Sequence, residues 1–499
     1  MGTAIPLARL EEIIDASGVA PAIEAILPVG VRQRQLHPRT LLVGMQLALT
    51  DRRPAHLTEV HAALTSLPRA DQERLGVTAD WHGGPHRLTY RQVEHTHRII
   101  NRALAKDQPD GAPSPRLQHV CDQLTEASIP EAFQNTSTSM AADWTDVEAW
   151  ARPVPHEAAG TGTGPEASWG HRNVGRSVQE GEMFFGYYLS AAVMVADENG
   201  EPVPELARRI TVASPGHDPA AELAGVLTTM PASGIALGDI TADSGYAHRV
   251  PDTWANPLRA AGADLVQDLH PHDRGPRGTH HGAIIANGNL YCPATPGPLL
   301  DPVPPPPGAP AADAAAHDQK TAELARCKLG VHAAEDADGY RRHACPAAAG
   351  KIRCPLRPES LKLDRSRPEV LTPPEHPPAC CAQQTITAGP GAAPKTRQKH
   401  DYPSEAWRIS YRPRTAAERL NAAIKDPAVN SIDRGWIRLM GVTPPTLWLA
   451  CLTVVRNQRT LHAFQARQQD DSRRAAASGQ QPRARKRRRE LAGAPAGPP

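Results

Sequence analysis

Three carboxylates in this 499-residue chain, Asp143, Asp243 and Glu418, have the types and settings needed for a metal-dependent site. Asp143 interrupts the apolar run of STSMAADWTDV, and Asp243 closes GIALGDITAD just before SGY turns the chain. Both segments read as strands, and carboxylates at adjacent strand ends gather at one edge of an α/β sheet, where sites of that class lie. Glu418 lies in YRPRTAAERLNAAIK, residues 411 to 425, on the polar side of a helical segment. Hard oxygen ligands with open positions for phosphate and water suit Mg2+ or Mn2+ better than zinc. Two such ions about 4 Å apart can activate a water or a 3′-hydroxyl and stabilise the leaving oxygen, which is in-line phosphodiester displacement. Composition alone does not force the three acids together.

The helical segment has its own logic. At about 100° per residue, steps of four and seven return to one side of a helix, so Arg414, Glu418 and Lys425 share a face. Leu420 and Ile424, with Ala416 and Ala423, fall opposite. Pro413 suits the first turn, where a missing N–H costs nothing, and Tyr411 is expected just outside the helix. Taken alone, such a face is a solvated surface with ordinary ion pairs.

The spacing of Tyr411, Arg414, Glu418 and Lys425 also resembles the Tyr-Arg-Glu-Lys signature of bacterial insertion-sequence transposases with an Asp-Asp-Glu site. In order along the chain, DWTDVEAW is similar to that family's first-aspartate strand, FFGYYLSAA to the strand after it, and DITADSGYAH to its second-aspartate strand and turn. GWIRLMG and VVRNQRTL resemble its closing helices. The resemblance spans roughly residues 136 to 260 and 406 to 465.

It implies an α/β fold with an RNase H-like mixed sheet flanked by helices, interrupted by a large insertion. Asp143, Asp243 and Glu418 would bind two Mg2+ or Mn2+ ions; Asp146, Asp239 and Glu148 are nearby rivals that fit the motif less well. Tyr411, Arg414 and Lys425 would hold the DNA backbone, a role suited to a guanidinium fork and an ammonium beside the acid. The implied reaction is nicking at transposon ends followed by attack of the freed 3′-hydroxyl on target DNA. The implied partners are the terminal inverted repeats and target DNA, with a dimer on synapsed ends. A catalytically inactive or repurposed DNA-binding descendant is the alternative, and another RNase H-like nuclease is a third reading against which Tyr411, Arg414 and Lys425 argue.

The elements that must position these residues divide the chain into five stretches. Residues 1–135 show helical periodicity and almost no strand signal. Within them, LTYRQVEHTHRIINRALAK pairs Thr89 with Gln92 as a capping box and buries Val93, Ile100 and Leu104. Its other side carries Arg91, Arg98, Arg102 and Lys106, a basic ridge suited to reading DNA ends. Residues 136–261 alternate strand and helix signals and form the first part of the catalytic domain. Residues 262–405 form the insertion, rich in proline and cysteine and expected to be partly disordered, with DPVPPPPGAPAADAAA as a linker. Residues 406–466 return to helix and complete the catalytic domain. Residues 467–499 end in RARKRRR and read as a disordered basic tail with affinity for polyanions.

The remaining features mostly exclude. The net charge of +2 gives no global field, so nucleic-acid affinity must come from local patches. No apolar run approaches a membrane span, and the acids in MGTAIPLARLEEIIDASG argue against a signal peptide. A soluble, cytoplasmic, nucleoid-associated protein is expected, without membrane partners. Eight cysteines in so long a chain are expected to be reduced. Cys292, Cys345, Cys354, Cys380 and Cys381 lack a CxxC pair, so a structural zinc is considered and not expected. The histidines of DLHPHDRGPRGTHHG match no ligand spacing, and the Gly and Pro among them indicate a flexible loop, so they are expected to be solvent-exposed.

Overall fold

The computed structural model describes residues 5–29, 36–81, 84–155, 162–164, 166–172, 182–303, 305, 308–336, 338–426, 430 and 432–477. The chain divides into two compact units, Met1–Gly238 with Thr415–Pro499, and Asp239–Arg414.

The first unit opens with helices α1 (Leu7–Ser17), α2 (Val19–Ile26), α3 (Pro38–Thr50), α4 (Leu57–Thr65) and α5 (Arg69–Arg74). A hairpin of β1 (Thr78–Trp81) and β2 (Gly84–Arg87) follows, which the residue pattern did not announce. Helix α6 (Tyr90–Leu104) begins at the expected capping box, with Gln92 Oε1 accepting from Thr89 N–H at 2.7 Å. Val93, Ile100 and Leu104 are buried as the periodicity requires, while Arg91, Arg98, Arg102 and Lys106 are exposed; Lys106, expected on the helix, falls just past its end. Helices α7 (Pro115–Ala127) and α8 (Glu131–Gln134) lead into the sheet.

The sheet of this unit is built around one long strand. β3 (Met140–Glu148) pairs antiparallel along its whole length with β5 (Glu182–Met194), from Met140 opposite Met194 to Glu148 opposite Gly186. On its other edge β5 takes β4 (Ser168–Arg172) beside its first residues and β6 (Ala207–Ala213) beside its later ones. Gly186 is required here by space: a Cβ would lie 2.1 Å from the Val147 carbonyl oxygen. One sheet face carries Val147, Tyr187, Leu189 and Ala191 into the main core with the N-terminal helices. Helix α9 (Pro219–Leu227) packs against β5 and β6.

The second unit starts with β7 (Asp239–Ala242), α10 (Ser244–Ala247), α11 (Ala255–Ala260) and β8 (Asp264–Gln267), a crossover joining two parallel strands. The stretch 262–405, expected to be partly disordered, is largely structured among its described residues. It contains one three-stranded sheet of β9 (Pro276–His280), β10 (Ala283–Ala286) and β11 (Asn289–Tyr291). Helix α12 (Ala311–Cys327) starts inside the alanine-rich part of the expected linker. A second sheet joins β12 (Gly330–Val331), β13 (Arg341–Ala344) and β14 (Thr385–Ala388), with α13 (Ala379–Ala382) before the last strand. Small separate cores explain how so proline-rich a segment packs: Ala283, Leu290, Leu329 and Ile386 form one, and Tyr291, Leu300 and Leu324 another. The unit closes with α14 (Glu405–Tyr411).

The chain then returns to the first unit through α15 (Thr415–Lys425) and α16 (Thr443–Ala477). The apolar run around Trp448 buries α16 against α3 and α7. This helix continues to Ala477, so the residues from 467 to 477 are helical rather than the start of a disordered tail; the run RARKRRR lies outside the described residues. The architecture is mixed α/β, and no helix among the described residues is long and apolar enough to cross a membrane.

Candidate active site

In the first unit the acids of β3 meet the polar face of α15. Ala141 of the strand packs on Ala416, Ala417 and Leu420 of the helix, which seats one element on the other. Asn421 Nδ2 then donates to Asp143 Oδ2 at 3.0 Å, while Asp143 Oδ1 accepts from the Trp144 amide at 2.9 Å. Glu418 is one turn before Asn421 and Lys425 one turn after it, so the residue bonded to Asp143 stands between the expected metal ligand and the expected phosphate clamp.

Lys425 pairs with Asp146 rather than extending alone into solvent, and its side chain remains 35% exposed. Asp146 also accepts from Arg172 Nε at 2.7 Å, and the same guanidinium reaches Glu148. Burial tends to raise the Asp146 carboxyl, but Lys425 and then Arg172 overcome it and hold it below the usual carboxylate range. In the second unit Asp239 is engaged by Lys399 at 2.7 and 2.9 Å. All three rivals to the expected acids are therefore committed to ion pairs.

Asp243 is placed differently. It caps α10, with its Oδ1 accepting from Gly245 N–H at 2.9 Å and Tyr246 N–H at 3.3 Å. Burial pushes its carboxyl above the ordinary range, against the pull of the Arg414 guanidinium and the two amides. An acid in that state fits a cation site: both cap bonds fall on one oxygen, and a nearby divalent charge would restore the ionised form.

The segment 411–425 is not one helix. Tyr411 ends α14, Arg412–Arg414 form a single 3-10 turn around Pro413, and α15 begins at Thr415. Tyr411 lies outside the Glu418 helix, as expected, although it ends a helix of its own; Arg414, expected on the Glu418 helix, sits instead in the turn before it. The Tyr411 ring stacks on Trp407, with centroids 4.8 Å apart and planes 17° apart, and Arg414 lies over its other neighbourhood at 5.4 Å from the ring centre. Tyr411, Arg414 and Asp243 thus belong to the second unit, and Asp143, Glu418 and Lys425 to the first.

Two groups were missed in the sequence. Asn421 sits on the right helix face, and only its register with Glu418 could have marked it. His248, His270 and Asp273 approach one another although the first two are 22 positions apart in the chain. The cysteines all carry free thiols; Cys292, Cys345 and Cys354 share one buried cluster, and Cys380 and Cys381 lie in another.

No protein-family model matches the chain, and no curated protein matches it either.

Proposed function

We propose that this protein is an Asp-Asp-Glu transposase of a bacterial insertion sequence, with an RNase H-like catalytic region acting on the element's terminal inverted repeats and on target DNA. The observation that supports this most is the seating of α15 on β3, where the Asn421 amide holds Asp143 on the helix face that also bears Glu418. In this reading Asp143, Asp243 and Glu418 bind two Mg2+ or Mn2+ ions. Those ions, when bound, would supply an activated water or 3′-hydroxyl and neutralise charge on the leaving oxygen.

The chain's own residues have the remaining tasks. Arg414 and Lys425 hold phosphate, with the Tyr411 ring stacked on Trp407 and the Arg414 guanidinium lying over that ring. Asn421 fixes the rotamer of Asp143, a positioning role. The exposed ridge of Arg91, Arg98, Arg102 and Lys106 contacts the DNA ends. Synapsis of two ends calls for a dimer on DNA, in the bacterial nucleoid.

The test is nicking of DNA that carries the element's ends by purified protein in Mg2+, compared with Glu418→Gln. Nicks at the ends and strand-transfer products from wild type alone support the reading. Equal absence of nicks from both proteins, with the ends still bound, assigns the chain to the inactive DNA-binding class. Nicks without strand transfer assign it to the other nucleases.

A further inference from the structure

His248 is the C-cap of α10, the short helix whose N-cap is Asp243. The segment DLHPHDRG, whose histidines were expected in solvent, folds at Pro271–Asp273 into a 3-10 turn that leaves His272 exposed and brings two of its side chains to His248. The rings of His248 and His270 stack with centroids 4.0 Å apart and planes 29° apart. Asp273 Oδ2 lies 2.9 Å from His248 Nδ1. One ligand atom from each of His248, His270 and Asp273 can be chosen so that all lie within 4.8 Å of one another. The His272 ring stands close by, 5.0 Å from that of His270 and 6.3 Å from that of His248.

A second observation shows that this spot accepts positive charge. The Lys395 ammonium donates to Asp273 Oδ1 at 2.9 Å and lies 3.3 Å from His248 Nδ1, touching two of the three donors. It is a built-in cation at the place where an ion would sit.

We propose that His248, His270 and Asp273 form a binding site for a divalent transition ion of the zinc type, which displaces the Lys395 ammonium. Two imidazoles and one carboxylate are the donor set of open zinc sites, with His272 or water for the fourth position. Mg2+ and Ca2+, which take oxygen ligands, are poorly matched to it. His270 Nδ1 now accepts the His272 amide at 3.2 Å. Coordination gives up that long bond, directly at Nδ1 or, through Nε2, by moving the ring proton to Nδ1. A bound ion would tie the C-terminal end of α10 to the turn after β8 and so stiffen the short element capped by Asp243. The site stands whether or not the chain is a transposase.

The test is Co2+ titration of the full chain followed by optical absorption, which separates nitrogen and oxygen ligation from the intense thiolate bands that the buried cysteines would give. With excess Mg2+ present to occupy any oxygen-ligand sites, wild type should bind a single equivalent without thiolate bands. The double variant His248→Ala, His270→Ala should lose that equivalent, and Lys395→Met should bind at least about tenfold tighter, because the competing ammonium is gone. A gain of affinity cannot arise from misfolding. Unchanged affinity in Lys395→Met, or only thiolate-type bands in wild type, overturns the site.

Discussion

Asn421 on α15 donates to Asp143 on β3 at 3.0 Å, and the amide oxygen of the same side chain is buried without a hydrogen-bond partner. The residue is only 9% exposed, so its chemistry is directed at Asp143 rather than at water. Replacement by Ala should cost about 2 kcal/mol, the usual worth of a hydrogen bond to a charged group. Replacement by Asp sets two carboxylates against each other and raises the pKa of the pair. A raised folded pKa gives stability that is present below the unfolded value and lost as pH rises through the folded one. Asn421→Asp should therefore lose stability relative to wild type between about pH 4 and neutrality. Urea unfolding across that range checks it; parallel curves for the two proteins would refute the contact.

Asp243→Asn gives the complementary result. Asn keeps the oxygen that caps α10 through Gly245 and Tyr246, but removes an acid whose pKa burial has raised. In wild type that acid's favourable contribution is complete below its unfolded pKa and declines as pH rises through the folded value. Without divalent ions, the variant should be the more stable protein at neutral pH and equal to wild type in acid. Added Mg2+ should raise the melting temperature of wild type and leave the variant nearly unmoved. Equal Mg2+ responses would remove Asp243 from the metal ligands.

Lys425 has two tasks that one variant can separate. With Lys425→Met, Asp146 keeps Arg172 but loses the partner that does most to depress its carboxyl. A depressed acid contributes stability above its unfolded pKa that disappears as pH falls through the folded one. The variant should be less stable than wild type at neutral pH, by a small amount because Lys425 is 35% exposed, and should converge with it in acid. If Lys425 also contacts phosphate, the slope of log affinity for DNA against log salt should fall by about 0.9. An unchanged slope confines Lys425 to the ion pair.

These residues also mark how far the sequence could be read. The α6 capping box, the strand that carries Asp143, the strand that ends just before Asp243 and the polar face of α15 were legible because each rests on a period or a local bond. The break between α14 and α15 was not, since Ser404 caps α14 through the Trp407 amide at 3.2 Å, upstream of the segment whose spacing mattered. The hairpin TADW and GPHR has no apolar alternation to announce it. The two small sheets of the second unit rest on scattered apolar residues that no window gathers. His248 meets His270 only because a parallel crossover, a feature of topology rather than of spacing, brings their loops together.

The α6 ridge tests the DNA-end reading apart from catalysis. Arg91, Arg98, Arg102 and Lys106 are exposed, so changing all four to Gln should leave the melting temperature nearly unchanged. Each one that touches phosphate should take about 0.9 from the salt slope of binding. Fluorescence anisotropy with a labelled end sequence and with unrelated DNA measures both. A full slope in the quadruple variant would make the ridge an ordinary solvated face.

The buried side of the same helix predicts an acid sensitivity of a different origin. His97 lies in the core of the first unit, 4% exposed, with its Nε2 lacking a partner, and burial pushes its pKa down to about 4. In the unfolded chain it titrates near 6.5, so from pH 6.5 down to about 4 the unfolded state binds the extra proton. Stability attributable to His97 is complete above 6.5 and is lost across that window, on the order of 3 kcal/mol in all. His97→Gln, which does not titrate there, should flatten the corresponding part of the pH–stability curve even if it lowers the whole of it. Denaturation midpoints at pH 7, 5.5 and 4.5 are sufficient, at roughly equal ionic strength so that screening of the surface pairs is held constant. Curves for wild type and variant that fall in parallel would show that His97 is protonated alike in the folded and unfolded chains, and that the acid limb belongs to the carboxylates alone.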